Sequence, residues 1–391
     1  MNRHDLPCLP DYQGNSIANL MSSLLTALGG EAPDCPPLRQ LPPARLESYT
    51  NLLLLVLDGL GYRFLAERGS SCLGSHLVGP ITSVFPPTTA AAITTFLTGE
   101  APQRHALTGW HMYFRELGAV LAILPGRPRY GGVGLSRAGI EVTALLQTRS
   151  VFERIAVPSY QVAPESIARS DFNTALLGPA RLCAFRSLSG LFERLTEILR
   201  TGRERSYTYA YWPELDAIGH AAGMGSASAR DHFEALDAAF AAFLHGVRGT
   251  NSLIIVTADH GQIDTTAADR VTLDDHPALA DCLLLPLCGE PRAAYCYVRC
   301  GRRERFERYV REHLSEVAEL WPSEALLERG LFGLGKPSPR LAPRIGDYTL
   351  LMKGHYVIRD WLPGERRYTQ IGVHDGLSEA ELYVPLGLAA V

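Results

Sequence analysis

The stretch Asn51-Leu-Leu-Leu-Leu-Val-Leu57, followed by Asp58-Gly59, is apolar from its second residue to its end. Such a run has no polar face to offer to solvent. It predicts a strand buried on both sides, at the centre of a parallel sheet. Asp58 then falls at the carboxyl end of that strand, the edge where open α/β sheets hold their ligands. Taken alone, an Asp-Gly pair reads equally well as a turn. Two further runs have the same form, however. Residues 207–212 are aromatic and β-prone and empty into Pro213-Glu-Leu-Asp216-Ala-Ile-Gly-His220. Residues 253–257 are apolar and empty into Ala258-Asp259-His260-Gly261.

Helical patterns alternate with these strands. Ser16 precedes an amphipathic run over 17–28 that stops at Gly29-Gly30, a capped helix by its end residues. Residues 151–155, 191–199 and 230–247 also read as helical. The fold class is therefore α/β, with a mostly parallel central sheet flanked by helices. Residues 32–43 are proline-rich and read as an extended connector. From about 265 to 372 the pieces shorten: strands over 293–298 and 348–352, helices over 305–317 and 323–329, and a proline-rich link over 337–343. This span is expected to form a smaller cap-like insertion within one domain covering 1–391. A short helix is expected over 378–382.

Composition narrows the function classes. Of the 391 residues, 46% are hydrophobic and the net charge is −4, so no nucleic-acid or membrane partner is expected. The eight cysteines contain no C-x-x-C pair, which argues against a zinc ribbon or a thioredoxin-type site and for buried free thiols. Arg3 and His4 precede Asp5 and several prolines with no long apolar run, unlike a secretory signal. A cytoplasmic location is the expectation.

The stretch Thr82-Ser-Val-Phe-Pro-Pro-Thr-Thr-Ala-Ala-Ala-Ile-Thr-Thr-Phe-Leu-Thr-Gly99 reads as strand, turn and helix, with Thr88 and Thr89 at the helix start. A threonine there is a good cap. It also lies beside unpaired N–H groups and a positive dipole end, which suit a phosphate or an alkoxide that attacks one. Such a nucleophile needs a metal or a base. Three strand ends supply ligand candidates in Asp58, Asp216 and Asp259, two of them with a histidine close by. His220 follows Asp216 by four residues, so a helical turn puts both side chains on one side. Carboxylate with imidazole is a ligand set suited to zinc.

Asp58, Phe85-Pro-Pro-Thr88-Thr89 before Thr98-Gly99, Asp216 with His220, Asp259-His260-Gly261 and the late His374 form an ordered set. That set resembles the alkaline phosphatase superfamily, and within it the nucleotide pyrophosphatase/phosphodiesterase branch. The resemblance implies a two-zinc hydrolase of phosphodiester or nucleotide pyrophosphate bonds. Phosphomonoester or phosphonate hydrolysis is the alternative, and an inactive binding module of the same fold is the non-enzyme reading. The expected partner is a small-molecule phosphate ester or a nucleotide. Carried over residue by residue, Asp216, His220 and His374 would hold one zinc. Asp58, Asp259 and His260 would hold the other, beside Thr89 as nucleophile. Thr89 is preferred to Thr88 by its distance from Thr98-Gly99. The covalent intermediate would be a phospho-threonine.

The chain departs from the family pattern at two places. Where the branch leads one to expect an asparagine that supports a phosphate oxygen, His105-Ala-Leu-Thr-Gly-Trp110-His111 has Trp110, a substrate contact or a core aromatic. Where a glycine is expected after the last histidine, this chain has Asp375, a partner for His374 or a turn residue. Arg292 and Lys353, in the expected cap, read as surface groups first and as contacts to an anionic substrate second, and Tyr130 and His355 are open to the same two readings. No C-x-P-x-R motif is present at the nucleophile, so a sulfatase is not supported.

Overall fold

The computed structural model describes residues 6–31, 33–146, 148–202 and 204–391. The N-terminal reading at Arg3, His4 and Asp5, and the first residue of the proline-rich connector, lie outside the described residues. The strand Asn51–Leu57 is buried at every position. It pairs in parallel with Ser206–Trp212 on one side and Ser252–Thr257 on the other. The full central sheet runs Leu77–Thr82, Tyr383–Ala390, Ser252–Thr257, Asn51–Leu57, Ser206–Trp212, Ser159–Pro164, Arg181–Phe185. Tyr383–Ala390 alone runs against the others, antiparallel to both of its neighbours. The expectation of a mostly parallel sheet therefore holds, although this strand was not foreseen. Among the described residues no helix is long and apolar enough to cross a membrane.

Helices flank the sheet. Ile17–Ala27 starts with a capping box between Ser16 and Asn19, and it packs against Thr89–Thr98. Leu188–Thr201 packs against Ala227–Gly246. Over 151–155 only a short 3-10 turn, Val151–Glu153, forms. Near the nucleophile stretch the strand Leu77–Thr82 ends at Thr82, where the sequence suggested a strand beginning. In the helix Thr89–Thr98 the residues after Thr89 are buried. Three threonines are accommodated because Thr94, Thr95 and Thr98 donate back to the carbonyls of Ala90, Ala91 and Thr94 at 2.6, 3.0 and 2.7 Å. The helix stops at Gly99, whose φ of +72° disfavours a side chain and where an added Cβ would lie 2.4 Å from Leu25 Cδ1.

A second, antiparallel sheet runs Ala318–Pro322, Tyr348–Met352, Ala293–Cys296, Cys288–Gly289, His111–Phe114, Ala119–Ala122, Arg127–Pro128. Residues 265–372 supply the first part of this order, and the strands between 111 and 128 complete it. The helix expected over 305–317 is Arg303–His313, and Leu341–Arg344 adds a turn of helix at the end of the proline-rich link. All the cysteines are free; Cys35, Cys282, Cys288 and Cys296 are buried, and the rest are at least partly exposed.

Arg292 is not a surface group. It is 2% exposed, at the edge of the second sheet, and its guanidinium grips Glu381, which is fully buried, at 2.6 and 3.2 Å. Glu381 also accepts from Gly376 N and Ser378 Oγ, so the pair ties the loop after His374 to the second sheet. Removing one partner leaves the other charge buried and uncompensated. R292A is expected to lower the unfolding free energy by about 3–5 kcal/mol, read by urea titration. An unchanged midpoint would show that the pair does not hold this loop.

Candidate metal centre and active-site cavity

Each strand that ends in the apolar pattern delivers a carboxylate to the same place. Asp58 follows Leu57 directly and is 2% exposed. Asp259 follows Thr257 and Ala258, and Asp216 sits in the first turn of the helix Glu214–Ala222, which begins just beyond Trp212. Asp58, Asp259 and His260 form one cluster; Asp216, His220 and His374 form another. Within each, the potential ligand atoms lie within 4.8 Å of one another. The rings of His260 and His374 stack at a centroid separation of 3.6 Å, so the clusters adjoin.

The histidines are oriented by their Nδ1 atoms. His220 Nδ1 lies 2.7 Å from the Gly372 carbonyl, His260 Nδ1 3.1 Å from that of Gly261, and His374 Nδ1 3.2 Å from that of Pro87. A carbonyl only accepts, so each Nδ1 carries a proton and each ring turns its Nε2 inward, the nitrogen whose lone pair, once free of a proton, a metal ligand requires. His220 Nε2 is 3.2 Å from Asp216, and His260 Nε2 is 3.4 Å from Asp58 and 3.5 Å from Asp259. Thr89 Oγ1 is 3.1 Å from the same His260 Nε2. The structure thus brings together all seven residues singled out from the sequence.

The donor set passes a direct test for a cation. Asp58 Oδ1 and Asp259 Oδ2 are buried without any hydrogen-bond partner, and both face His260 Nε2. Orphaned carboxylate oxygens of this kind are rare in folded proteins unless a positive charge sits between them. With protein charges alone, burial and the nearby Asp259 and Asp216 push Asp58 well above the usual carboxylate range. Asp216 goes the other way: burial opposes its charge, but His220, His374 and His260 hold it down. Burial lowers His260. For His374 burial also acts downward, but Asp375, Asp216 and Glu290 outweigh it and raise it to about 10.

Several supporting groups carried no sequence signal. The Tyr211 hydroxyl donates to Asp58 Oδ2, and Gln262 donates to Asp216 Oδ1. Asp375 Oδ1 lies 2.5 Å from His374 Nδ1. Asp375 adopts a φ of +95°, which accounts for a glycine being expected there and for the strain an aspartate accepts in reaching His374. Of the two roles considered for Asp375, its contact with His374 matches the first. Glu290, 8% exposed, was missed altogether; its Oε1 accepts from Thr88 Oγ1 at 2.5 Å and from Trp110 N at 2.6 Å. Thr88 is thereby engaged away from the clusters, which leaves Thr89 as the hydroxyl that faces them.

Thr89 and the cluster of Asp216, His220 and His374 open into a cavity of about 540 Å³ between the two sheets. Thr89, Asp216, His220 and His374 line one part of it, and Trp110, His111, Arg127, Arg129, Glu290 and Arg359 line the rest. Trp110 is 38% exposed and lines this cavity, so it is not a core aromatic. Lys353, Tyr130 and His355 do not line it.

A search of curated proteins returned no match. Among solved structures, murine ectonucleotide pyrophosphatase/phosphodiesterase 5 superposes with a TM-score of 0.66 at 15% identity, covering 86% of this chain and 87% of that one. Its human counterpart gives 0.65 at 14% identity over the same shares. Phosphonoacetate hydrolase from Sinorhizobium meliloti 1021, in complex with phosphonoacetate, gives 0.63 at 16% identity over 87% and 90%. At these identities the likeness is one of fold. The sequence profile for type I phosphodiesterase/nucleotide pyrophosphatase matches residues 52–376, from the first central strand to just beyond His374. The chain belongs to the type I phosphodiesterase/nucleotide pyrophosphatase family, in the alkaline phosphatase superfamily.

Proposed function

We propose that the protein hydrolyses phosphodiester or nucleotide pyrophosphate bonds through a phospho-threonine on Thr89. One observation carries this reading: the Thr89 hydroxyl stands 3.1 Å from His260 Nε2, at the point where the orphaned oxygens of Asp58 and Asp259 converge. Family membership supports phosphoester hydrolysis at this place. Asp216, His220 and His374 would hold one divalent ion, and Asp58, Asp259, His260 and Thr89 the other, with zinc favoured by the mixed carboxylate and imidazole donors. Bound there, such ions favour the alkoxide of an adjacent hydroxyl and neutralise charge on phosphoryl oxygens.

The chain's own groups do the rest. Thr89 Oγ1 gives up its proton and bonds to phosphorus as the bond to the leaving ester oxygen breaks, and the leaving group departs as the alcohol or phosphate with a proton made up from solvent. The first N–H groups of the helix Thr89–Thr98 take a non-bridging oxygen, aided by the helix dipole. Water then cleaves the phospho-threonine and restores the hydroxyl. Residues 265–372, as a cap-like insertion, would form much of the wall that chooses the substrate.

The wall supports a diester or pyrophosphate over a monoester. A terminal phosphate dianion needs extra cations, yet the groups beside His374 are the carboxyl side chains of Asp375 and Glu290. Arg129 is already paired with Asp360 at 2.8 Å and Glu365 at 3.0 Å. Arg359 donates instead to the neutral Tyr368 and Gln370, so it and Arg127 suit the second phosphate of a pyrophosphate. One structural neighbour is an inactive form of the murine enzyme in complex with AMP. The test is a comparison of initial rates on bis(p-nitrophenyl) phosphate and p-nitrophenyl phosphate. The bis ester is expected to have a kcat/KM at least about tenfold higher. The reverse order would establish the monoesterase alternative.

A further inference from the structure

Thr88 has the backbone of a helix N-cap but lacks the cap's hydrogen bond. Its φ of −132° and ψ of 149° are the extended values from which a threonine hydroxyl turns back onto the first helical N–H groups. Ser187 and Ser226 do this at the starts of Leu188–Thr201 and Ala227–Gly246. At Thr88 the hydroxyl is drawn off instead. It donates to Glu290 Oε1 at 2.5 Å, and the same oxygen accepts from Trp110 N at 2.6 Å. This contact turns the hydroxyl toward the second sheet and away from the N–H donors of the helix start.

We propose that Glu290 is a positioning residue that holds the Thr88 hydroxyl off the helix Thr89–Thr98, keeping the first-turn N–H groups open to the phosphoryl oxygens of the substrate. The proposal rests on the reading of Thr89 as nucleophile. Its physical content is a competition for the same donors. If the Thr88 hydroxyl rotated to cap the helix, its oxygen would occupy an N–H that an anionic oxygen must use, and its lone pairs would face that anion. Glu290 belongs to the second sheet, at the turn between Cys288–Gly289 and Ala293–Cys296, so one sheet sets the state of a helix that serves the other. The same contact fixes the backbone that carries Trp110, which places the nucleophile turn and one cavity wall in a single register.

The experiment is a second-site suppression, run on the metal-loaded enzyme with bis(p-nitrophenyl) phosphate. E290A is expected to lower kcat by about 10²-fold, the effect of losing one oxyanion donor, with a smaller change in KM. The double variant E290A/T88V has no hydroxyl left to form the cap and is expected to regain most of that loss. E290Q keeps an Oε1 acceptor for both donors and is expected to stay close to wild type. The dissociation constant of inorganic phosphate, measured by calorimetry, should weaken in E290A and recover in the double variant. A purely structural role for Glu290 predicts that the double variant is no better than E290A. That result would overturn the proposal, as would a fully active E290A or an inactive, folded E290Q. Activity retained in T89A would instead overturn the nucleophile reading beneath it.

Discussion

Replacing Thr89 by alanine is expected to lower kcat by about 10³–10⁶-fold, the range seen when a nucleophile that acts as part of a unit is removed. The loss should fall on kcat more than on KM, because the hydroxyl bonds to phosphorus only as the reaction proceeds. Denaturing an enzyme stopped during turnover of a phosphorus-labelled substrate should trap label on the wild-type chain and none on T89A. The fold should not change, since the Thr89 hydroxyl accepts no helix-capping bond. That hydroxyl meets His260 Nε2 instead. T89S keeps a hydroxyl at the same place and is expected to keep part of the activity. An active T89A that still traps label would move the role to Thr88, and the bond from Thr88 to Glu290 argues against that move.

Metal removal is the second large effect. A chelator is expected to abolish hydrolysis, and two equivalents of zinc to restore it. Without a cation, Asp58 is pushed up by burial and by Asp259 and Asp216, and His374 is raised to about 10 by the carboxylates around it. His374 then holds a proton near neutral pH that it must lose to act as a ligand, and the upward shift of Asp58 acts in the same direction. Zinc binding is therefore expected to release protons and to weaken as the pH falls. Calorimetry in two buffers of different ionisation heat measures that release. Binding should also stabilise the fold, by about 4 kcal/mol at a thousandfold excess over Kd. A chelated protein that kept both its activity and its melting temperature would remove the metals from the proposal.

The parts of the site legible in the sequence share one property: each stands next to a strong local pattern. Asp58 and Asp259 follow apolar strands that announce themselves, and Asp216 with His220 has helical spacing just after another. Thr89 sits at a break between prolines and small helix-forming residues. What stayed hidden depends on contacts between distant segments. Glu290 lies in a tight turn beside a strand of two residues, with no periodicity to mark it, and its partners Thr88 and Trp110 are 202 and 180 positions away. Tyr211 reads as one more aromatic in a buried strand; only the pairing of Val56 with Tyr211 and of Leu57 with Trp212 brings its hydroxyl to Asp58. Arg292 looked like surface charge because the carboxylate that makes its burial tolerable, Glu381, lies 89 positions later. The strand Tyr383–Ala390 contains Pro385 and Gly387, both poor strand formers, and the sheet around it overrides their preference.

That last strand governs how the chain can be assembled as it leaves the ribosome. Asn51–Leu57 can find its parallel partners once Ser252–Thr257 has emerged. Among the described residues, Leu77–Thr82 pairs in the central sheet with Tyr383–Ala390 alone, apart from a single bridge from Thr82 to Ser16. At about 5–20 residues per second, the wait for some 300 further residues lasts on the order of 15–60 s. For that time Leu77–Thr82 is an open edge to which another nascent chain could add. Pro80, in its middle, faces Pro385 in the finished sheet and offers no N–H to any intruder. A residue that weakens the completed strand pairing thus protects the unfinished molecule from its neighbours on the same polysome.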